Sequence, residues 1–229
     1  MVLMCTAAVA LAPRFGAWAA QDPLAATLAR MDEHGAKFKT MKASIQRVHH
    51  VEVIHEDETE VGSIWIKRSK PKELKVLMEI QPPNPKVVLV DGKNADVYYP
   101  NNPGEIQRVE LGRQKSMVDQ YLTLGFGGNS TELQSAFIVR LGGTETVVGV
   151  KTTRLELTPK TPDPVMQLKR IDLWIADEAG YTVQQKLYEQ GKDYSVITFT
   201  KVEQNPAIAD TVFKLPAPKG TKREVLIKK

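Results

Sequence analysis

Cysteine is almost absent from this chain of 229 residues, since Cys5 is the only one. Cys5 lies in an apolar N-terminal stretch that we predict is cleaved from the mature protein. The mature chain would then carry no thiol, which excludes disulfide bonds and thiol chemistry.

The sequence also lacks the short motifs of common catalytic chemistry. It contains no G-x-S-x-G, no H-E-x-x-H, no P-loop and no dinucleotide-binding glycine pattern. The run Gly125-Phe126-Gly127-Gly128 superficially resembles a phosphate loop, but it follows a predicted helix and lacks the Lys-Ser/Thr end. A helix stop explains this run better. Because the sequence contains none of these catalytic motifs, we expect neither an enzyme nor a cofactor.

Neither sign of charge dominates the composition. Lys and Arg number 31 against 27 Asp and Glu, which gives a net charge of +4 at pH 7. This balance is ordinary for a soluble protein and predicts no nucleic acid partner.

Residues 1–19 have the pattern of a secretory signal peptide. Val2–Ala12 is an apolar run too short to span a bilayer comfortably, and Ala17-Trp18-Ala19 is an A-x-A cleavage site that would leave Ala20 as the mature start. A membrane anchor and a lipid-modified Cys5 are the alternatives, but more apolar residues follow Cys5 instead of a polar segment. Because no linker is long enough to separate two domains, we expect residues 20–229 to form one.

The densest strand signals lie between Val61 and Pro100. Every second residue of Leu74–Ile80 is apolar, which is typical of a half-buried strand. Prolines between Gln81 and Pro85 end that strand and exclude a helix, and Asp91-Gly92 is a hairpin signal. Further strand signals recur to residue 203, so the sequence predicts a wide antiparallel meander.

Three helices interrupt or precede this meander. The first helix begins at Asp22-Pro23, a good helix start, and has Leu24, Leu28 and Met31 at helical spacing. The second is predicted over Gln114–Phe126, with Met117, Tyr121 and Leu122 at helical spacing. The third is predicted from Ser130 through Ala136. The fold predicted is mainly β (α+β): an incomplete, strongly curved antiparallel β-barrel of about eleven strands.

Three histidines lie in the first predicted strand, close to acidic residues. His49 and His55 share a strand face but are about 20 Å apart when extended, too far to bind one ion. His50 and Glu52 are near enough to share one, but a solvated strand end explains the pattern better. We therefore predict no metal site.

The strand-rich stretch contains a series of characteristically spaced residues: Gly62, Trp65, Arg68, Pro82 or Pro83, Asp91, Gly92, Lys93, Tyr98 and Pro100. Their order and spacing resemble those of the LolA family of periplasmic lipoprotein carriers. Similar turns follow at Leu157–Lys160 and Asp177–Gly180, and the ending Val212–Gly220 is similar too. The chain departs from the pattern twice: Ser69 and Lys70 split the Arg-Pro pair, and Asp96 replaces a large aromatic residue.

The resemblance implies a non-enzymatic, monomeric carrier in the periplasm, with a helical lid over the concave face of the sheet. Its cargo would be acylated lipoproteins or lipids. Its partners would be an inner-membrane ABC-type lipoprotein-releasing complex and an outer-membrane receptor. A LolA-like lipid-binding protein or an envelope sensor of the RseB type, with a different amphiphilic cargo, is the alternative. Sensors of the RseB type carry a second C-terminal domain, and lipid-anchored relatives keep a mature N-terminal cysteine. We expect neither feature in this chain, so we expect the carrier.

A carrier of acyl chains needs apolar area, because each CH₂ left in water costs about 0.8 kcal/mol. The resemblance implies that Arg68 holds the lid closed through hydrogen bonds to its backbone; a surface arginine at a strand end is the alternative. Plain core packing is the alternative for each cavity candidate. Those candidates are Ile64, Ile66, Val76, Met78, Ile80, Val88, Val90, Ile171, Leu173 and Ile175. The lid candidates are Leu24, Leu28, Met31, Met117, Tyr121 and Leu122.

Overall fold

A computed structural model describes most of the chain downstream of the predicted signal peptide. The residues described are 22–70, 73–92, 94–111, 124, 126, 129–161, 168–189 and 191–227. The signal peptide, Ala20 and the lid candidates Met117, Tyr121 and Leu122 lie outside them, so their predictions are not addressed by the structure.

Twelve strands form one open sheet within the described residues. They are β1 (Thr40–Val51), β2 (Glu56–Lys70), β3 (Glu73–Ile80), β4 (Lys86–Asp91), β5 (Asn94–Tyr98), β6 (Glu105–Glu110), β7 (Phe137–Val147), β8 (Val150–Pro159), β9 (Arg170–Ala176), β10 (Thr182–Tyr188), β11 (Tyr194–Gln204) and β12 (Lys222–Ile227). The order across the sheet is β12-β6-β5-β4-β3-β2-β1-β11-β10-β9-β8-β7. The edge strands are therefore β12 and β7, and the predicted incomplete barrel is confirmed.

The chain end differs from the sequence prediction. The predicted strand signals ended at residue 203, but β12 pairs with β6, and this pairing is parallel whereas the others are antiparallel. Arg223 of β12 reaches Asp96 at 3.4 Å, a long-range contact that no local pattern predicts. The sheet accordingly has one strand more than expected.

Two α-helices and one short 3₁₀ helix lie in the described residues: α1 (Pro23–Lys37), α2 (Ser130–Ala136) and Asp210–Val212. Helix α1 begins as predicted, because the Asp22 side chain accepts a hydrogen bond from the Leu24 N–H at 3.1 Å. The cap of α2 is Asn129, which accepts from the Glu132 N–H at 2.7 Å. No helix in this part of the chain is both long and apolar enough to cross a membrane.

Helix α1 packs against one face of the sheet, which we call the inner face. The outer face is covered in part by the segment that follows β11. There Phe213 is buried against Leu77 and Val87, with Ile208 and Leu215 beside it. This cover uses the apolar residues of the ending Val212–Gly220, so the outer face of β3 and β4 is already filled.

Candidate functional site

The inner face carries two clusters of buried apolar side chains. The first apolar patch lies on β1–β4 and β11, with three residues from outside these strands packed on it, and consists of Phe38, Met41, Ala43, Ile45, Ile64, Ile66, Leu74, Val76, Ile80, Val90, Leu111, Phe126 and Phe199. The second apolar patch lies where α1 and α2 pack on β7–β9 and consists of Leu28, Met31, Leu124, Leu133, Phe137, Leu155, Leu157, Leu168, Ile171, Leu173 and Ile175. Cross-strand register keeps both on the same face.

The predicted cavity residues divide between these patches. Ile64 pairs with Met78 and Ile66 with Val76, so period-two alternation places them on the inner face. Ile64, Ile66, Val76, Ile80 and Val90 belong to the first patch. Met78 and Val88 pack against it and stay partly exposed, so these two candidates are accessible on this surface.

The remaining three cavity candidates lie in the second patch. Ile171, Leu173 and Ile175 are each 0% exposed. Leu28 and Met31 of α1 are buried against the same cluster, and Leu24 packs at its margin. The predicted apolar face of α1 is thus directed at the sheet. In this conformation the second patch is fully covered.

Sequence reasoning missed residues that join the two patches. Leu124 belongs to the second patch and Phe126 to the first, where its ring meets the edge of Phe199 at 4.9 Å between centroids. Between them Gln185 donates from Nε2 to the Leu124 carbonyl at 3.1 Å. We interpreted the run Gly125-Phe126-Gly127-Gly128 only as a helix stop. The signal available in the sequence was the spacing of two apolar residues, Leu124 and Phe126, two positions apart.

Polar contacts also hold α1 in place. Asp32 accepts from the Ser130 N–H and from its hydroxyl, both at 2.6 Å, which ties α1 to the first residue of α2. Arg30 lies 3.5 Å from Asp177 in the β9–β10 turn. Gly180 of that turn approaches the Arg30 carbonyl so closely that a Cβ would lie 2.9 Å from the carbonyl carbon. Only glycine fits there.

Arg68 contacts the C-terminal part of α1. Its Nη2 donates to the Gly35 carbonyl at 3.1 Å, and its guanidinium lies 5.6 Å from the centre of the Phe38 ring. The last carbonyls of a helix lack intrahelical partners, so a guanidinium there satisfies one of them. The contact is of the kind that the family resemblance implied; its role as a latch stays a prediction.

His34 lies on α1 beside this contact. Its ring is 5.9 Å from Phe38 and 6.2 Å from Tyr181 between centroids. Burial, followed by the positive charge of Arg68, lowers the pKa of His34 below its ordinary value. A neutral imidazole is therefore the form that suits the closed helix.

Asp96 faces away from both patches. Its register partners are Leu89 and Arg108, which lie on the outer face. Arg108 donates to the two carboxylate oxygens at 2.6 and 2.7 Å. Burial raises the pKa of Asp96, but the bonds from Arg108 outweigh it and keep the pKa below its ordinary value. The replaced aromatic position therefore lies outside the inner face.

The histidines of β1 make hydrogen bonds with side chains. His50 contacts Asp57 at 2.7 Å and Glu52 at 3.2 Å, and these bonds raise its pKa. Its ring stacks on Tyr194 at 4.8 Å. Within the described residues, no group of three or more His, Cys, Asp or Glu side chains is arranged to hold a metal ion.

A family model decides the classification. The model described as "Outer membrane lipoprotein carrier protein LolA" matches residues 36–216, most of the chain. The chain belongs to the LolA family. An outer-membrane lipoprotein carrier protein of Cupriavidus taiwanensis is 37% identical over 95 residues. That match covers 42% of this chain and 40% of the relative, so it spans less than half of each.

Solved structures show the same fold at low identity. An uncharacterized conserved protein from Thermus thermophilus has a TM-score of 0.55 at 10% identity, over 89% of this chain and 99% of that one. A crystal structure of MucB has a TM-score of 0.53 at 14% identity, over 84% of this chain and 62% of that one. These similarities show that proteins with very different sequences share this fold.

Proposed function

We propose that this protein is a periplasmic carrier that binds the acyl chains of lipoproteins on the inner face of its sheet. The observation that carries the proposal is the pair of apolar patches on one face, the second of which lies beneath the amphipathic helix α1. Membership of the LolA family supports the cargo class. An inner-membrane ABC-type lipoprotein-releasing complex would load it and an outer-membrane receptor would unload it.

In the proposed cycle, α1 lifts from the second patch as the cargo enters. Uncovering Leu24, Leu28 and Met31 costs about 1.5–3 kcal/mol per side chain, or roughly 7 kcal/mol together. A single chain of about 16 carbons gains about 12 kcal/mol on burial, at about 0.8 kcal/mol per CH₂. One chain therefore outweighs the apolar contacts of α1, and the half-exposed Met78 and Val88 offer it a first contact.

Release requires a preference for the empty, closed conformation, and Arg68 is suited to supply it. A hydrogen bond from a guanidinium contributes about 1.5–3 kcal/mol. That is enough to bias the lid without making closure irreversible. We expect Arg68→Leu to load lipoprotein but to transfer it poorly to an acceptor, because the closed state loses its bond to Gly35.

The experiment starts from mature protein purified from a membrane-containing host. Organic extraction and mass spectrometry identify bound lipid, and release of lipoproteins from spheroplasts measures carrier activity. Lys70→Leu is the matched control, since Lys70 is exposed at the same strand end and pairs with Glu73 at 3.6 Å. Normal transfer by Arg68→Leu would refute the latch, and a protein that neither retains lipid nor releases lipoprotein would refute the carrier.

A further inference from the structure

A partly buried group of charges lies on the inner face, beside the first apolar patch. Glu60, 6% exposed, accepts from Lys86 at 2.5 Å and from Arg47 at 3.0 Å. Arg47 also donates to Ser195 at 3.2 Å. We call Arg47, Glu60 and Lys86 the ion triad. Burial raises the pKa of Glu60, but the bonds from Lys86 and Arg47 outweigh this and hold the pKa below its ordinary value.

The triad adjoins the apolar patch along neighbouring strands. Arg47 follows Ile45 by two positions on β1, and its register partner on β2 is Glu60. Lys86 on β4 pairs directly with Ile80, the last residue of β3. Because residues two apart on a strand share a face, the inner surface changes from apolar to charged within one such step. An amphiphile lying on this face would meet that boundary.

A polar pocket of about 400 Å³ opens at the same end of the sheet. Its lining comes from the start of β2, the β3–β4 loop and the β5–β6 loop: Glu58, Glu60, Asn84, Pro85, Lys86, Tyr99, Asn101 and Asn102. Asn84 donates to Glu58 at 3.3 Å, which fixes one side of the opening. Tyr99 is 38% exposed and offers an aromatic surface at its edge.

The chemistry of this lining decides between ligand classes. Two carboxylates, those of Glu58 and Glu60, lie near the single ammonium of Lys86. The guanidinium of Arg47 brings the net charge of the group to zero, so a phosphate gains no net attraction. The lining combines donors, from Lys86 and the asparagine amides, with acceptors, from the carboxylates and amide oxygens. Such a mixture matches peptide groups, which carry one donor and one acceptor each.

We propose that the ion triad and the polar pocket bind the polypeptide segment next to the acylated residue of a lipoprotein. This inference rests on the proposed function, since the acyl chains would occupy the adjoining apolar patch. Lys86 has two N–H groups beyond the one that it gives to Glu60 and can donate to peptide carbonyls. Glu58 and the asparagine side chains would take the remaining peptide groups. The site thus distinguishes a lipoprotein from a free lipid.

The test compares three probes on the mature full-length protein: a triacylated lipopeptide, a fatty acid of the same chain length and phosphatidylglycerol. The variant Tyr99→Ala/Asn102→Ala changes only loop residues of the pocket rim, so folding is preserved. We expect its affinity for the lipopeptide to fall about tenfold, equivalent to ~1.4 kcal/mol, with fatty acid binding within about twofold of the unchanged protein. Lys86→Gln tests the triad itself and should act in the same direction. Lys192→Ala, an exposed residue of the β10–β11 turn paired with Glu52, is the control.

Each other outcome overturns the inference in a recognisable way. Equal losses for lipopeptide and fatty acid would mean that the pocket acts on the acyl chain. A loss confined to phosphatidylglycerol would make it a headgroup site. Unchanged lipopeptide binding by both variants would remove the site and leave the carrier intact, whereas an unchanged protein that binds no acylated probe would remove the proposed function and this inference together.

Discussion

The contact between Gly180 and α1 tests how the helix is held on the sheet. Gly180 has φ +72°, and a Cβ there would overlap the Arg30 carbonyl oxygen and lie 3.2 Å from the His34 Cβ. Gly180→Ala therefore has two costs. The left-handed backbone costs a residue other than glycine about 1–2 kcal/mol. Overlap with the helix backbone forces α1 to move, and overpacking of this kind costs about 1–3 kcal/mol.

Gly149 supplies a matched control. Its φ is +83°, and a Cβ there would meet no atom of the described residues within 4 Å. We expect Gly149→Ala to lower the free energy of unfolding by about 1 kcal/mol and Gly180→Ala by roughly 3 kcal/mol. The difference measures the displacement of α1.

Urea unfolding followed by tryptophan fluorescence gives both free energies. A polarity-sensitive dye added to the native proteins reports whether the second apolar patch becomes exposed. We expect brighter dye fluorescence only for Gly180→Ala, because only that variant loosens the contact of Leu28 and Met31 with the sheet. Equal losses of stability and equal dye signals in the two variants would show that α1 does not rest on the β9–β10 turn.

Three further predictions concern hydrogen bonds and protonation. Asp32→Ala and Ser130→Ala should each weaken the α1–α2 contact, with a coupling of about 1–2 kcal/mol in a double-mutant cycle of urea unfolding. The lowered pKa of His34 means that the unfolded state binds more protons below about pH 6.5, so stability falls as the pH drops; His34→Gln should flatten this slope. His50, whose pKa is raised, contributes the opposite slope, since its stabilisation is lost as the pH rises through its folded pKa. Asp96→Ala should cost about 3 kcal/mol, because it leaves a partly buried Arg108 unpaired.

Each of these has a contrary result. Additive effects of Asp32→Ala and Ser130→Ala would mean that their hydrogen bonds do not link the helices. The same pH slope in His34→Gln and in the unsubstituted protein would place the titration elsewhere. A loss below about 1 kcal/mol for Asp96→Ala, the range of exposed ion pairs, would show that the pair with Arg108 is solvated. Because the pKa of Asp96 is lowered, its contribution should also be lost as the pH falls through that pKa.

Much of the architecture followed from local patterns. The alternation in Leu74–Ile80 predicted β3 and its inner face, and Asp22-Pro23 predicted the start of α1. The helix from Ser130 to Ala136 was also predicted with its observed bounds. These features depend on side-chain periodicity and on capping, which neighbouring residues determine. The edge strand β12 was missed, because its pairing with β6 is a contact between distant segments.

All ten cavity candidates lie in or against the two apolar patches of the inner face, and their role in binding cargo stays a prediction. Their division between two patches, one of which lies beneath α1, was not predicted, because it depends on where the helix crosses the sheet. Phe126 was missed for the same reason.

The sequence by itself determined most of the strand and helix types and the likeness to a lipoprotein carrier family. Only the tertiary structure decided which side chains are neighbours. It brought Arg68 to the Gly35 carbonyl, turned Asp96 toward Arg108 and gathered Arg47, Glu60 and Lys86 from three strands. The physical reason is that periodicity sets the face on which a residue lies, whereas strand order and register set what it meets there.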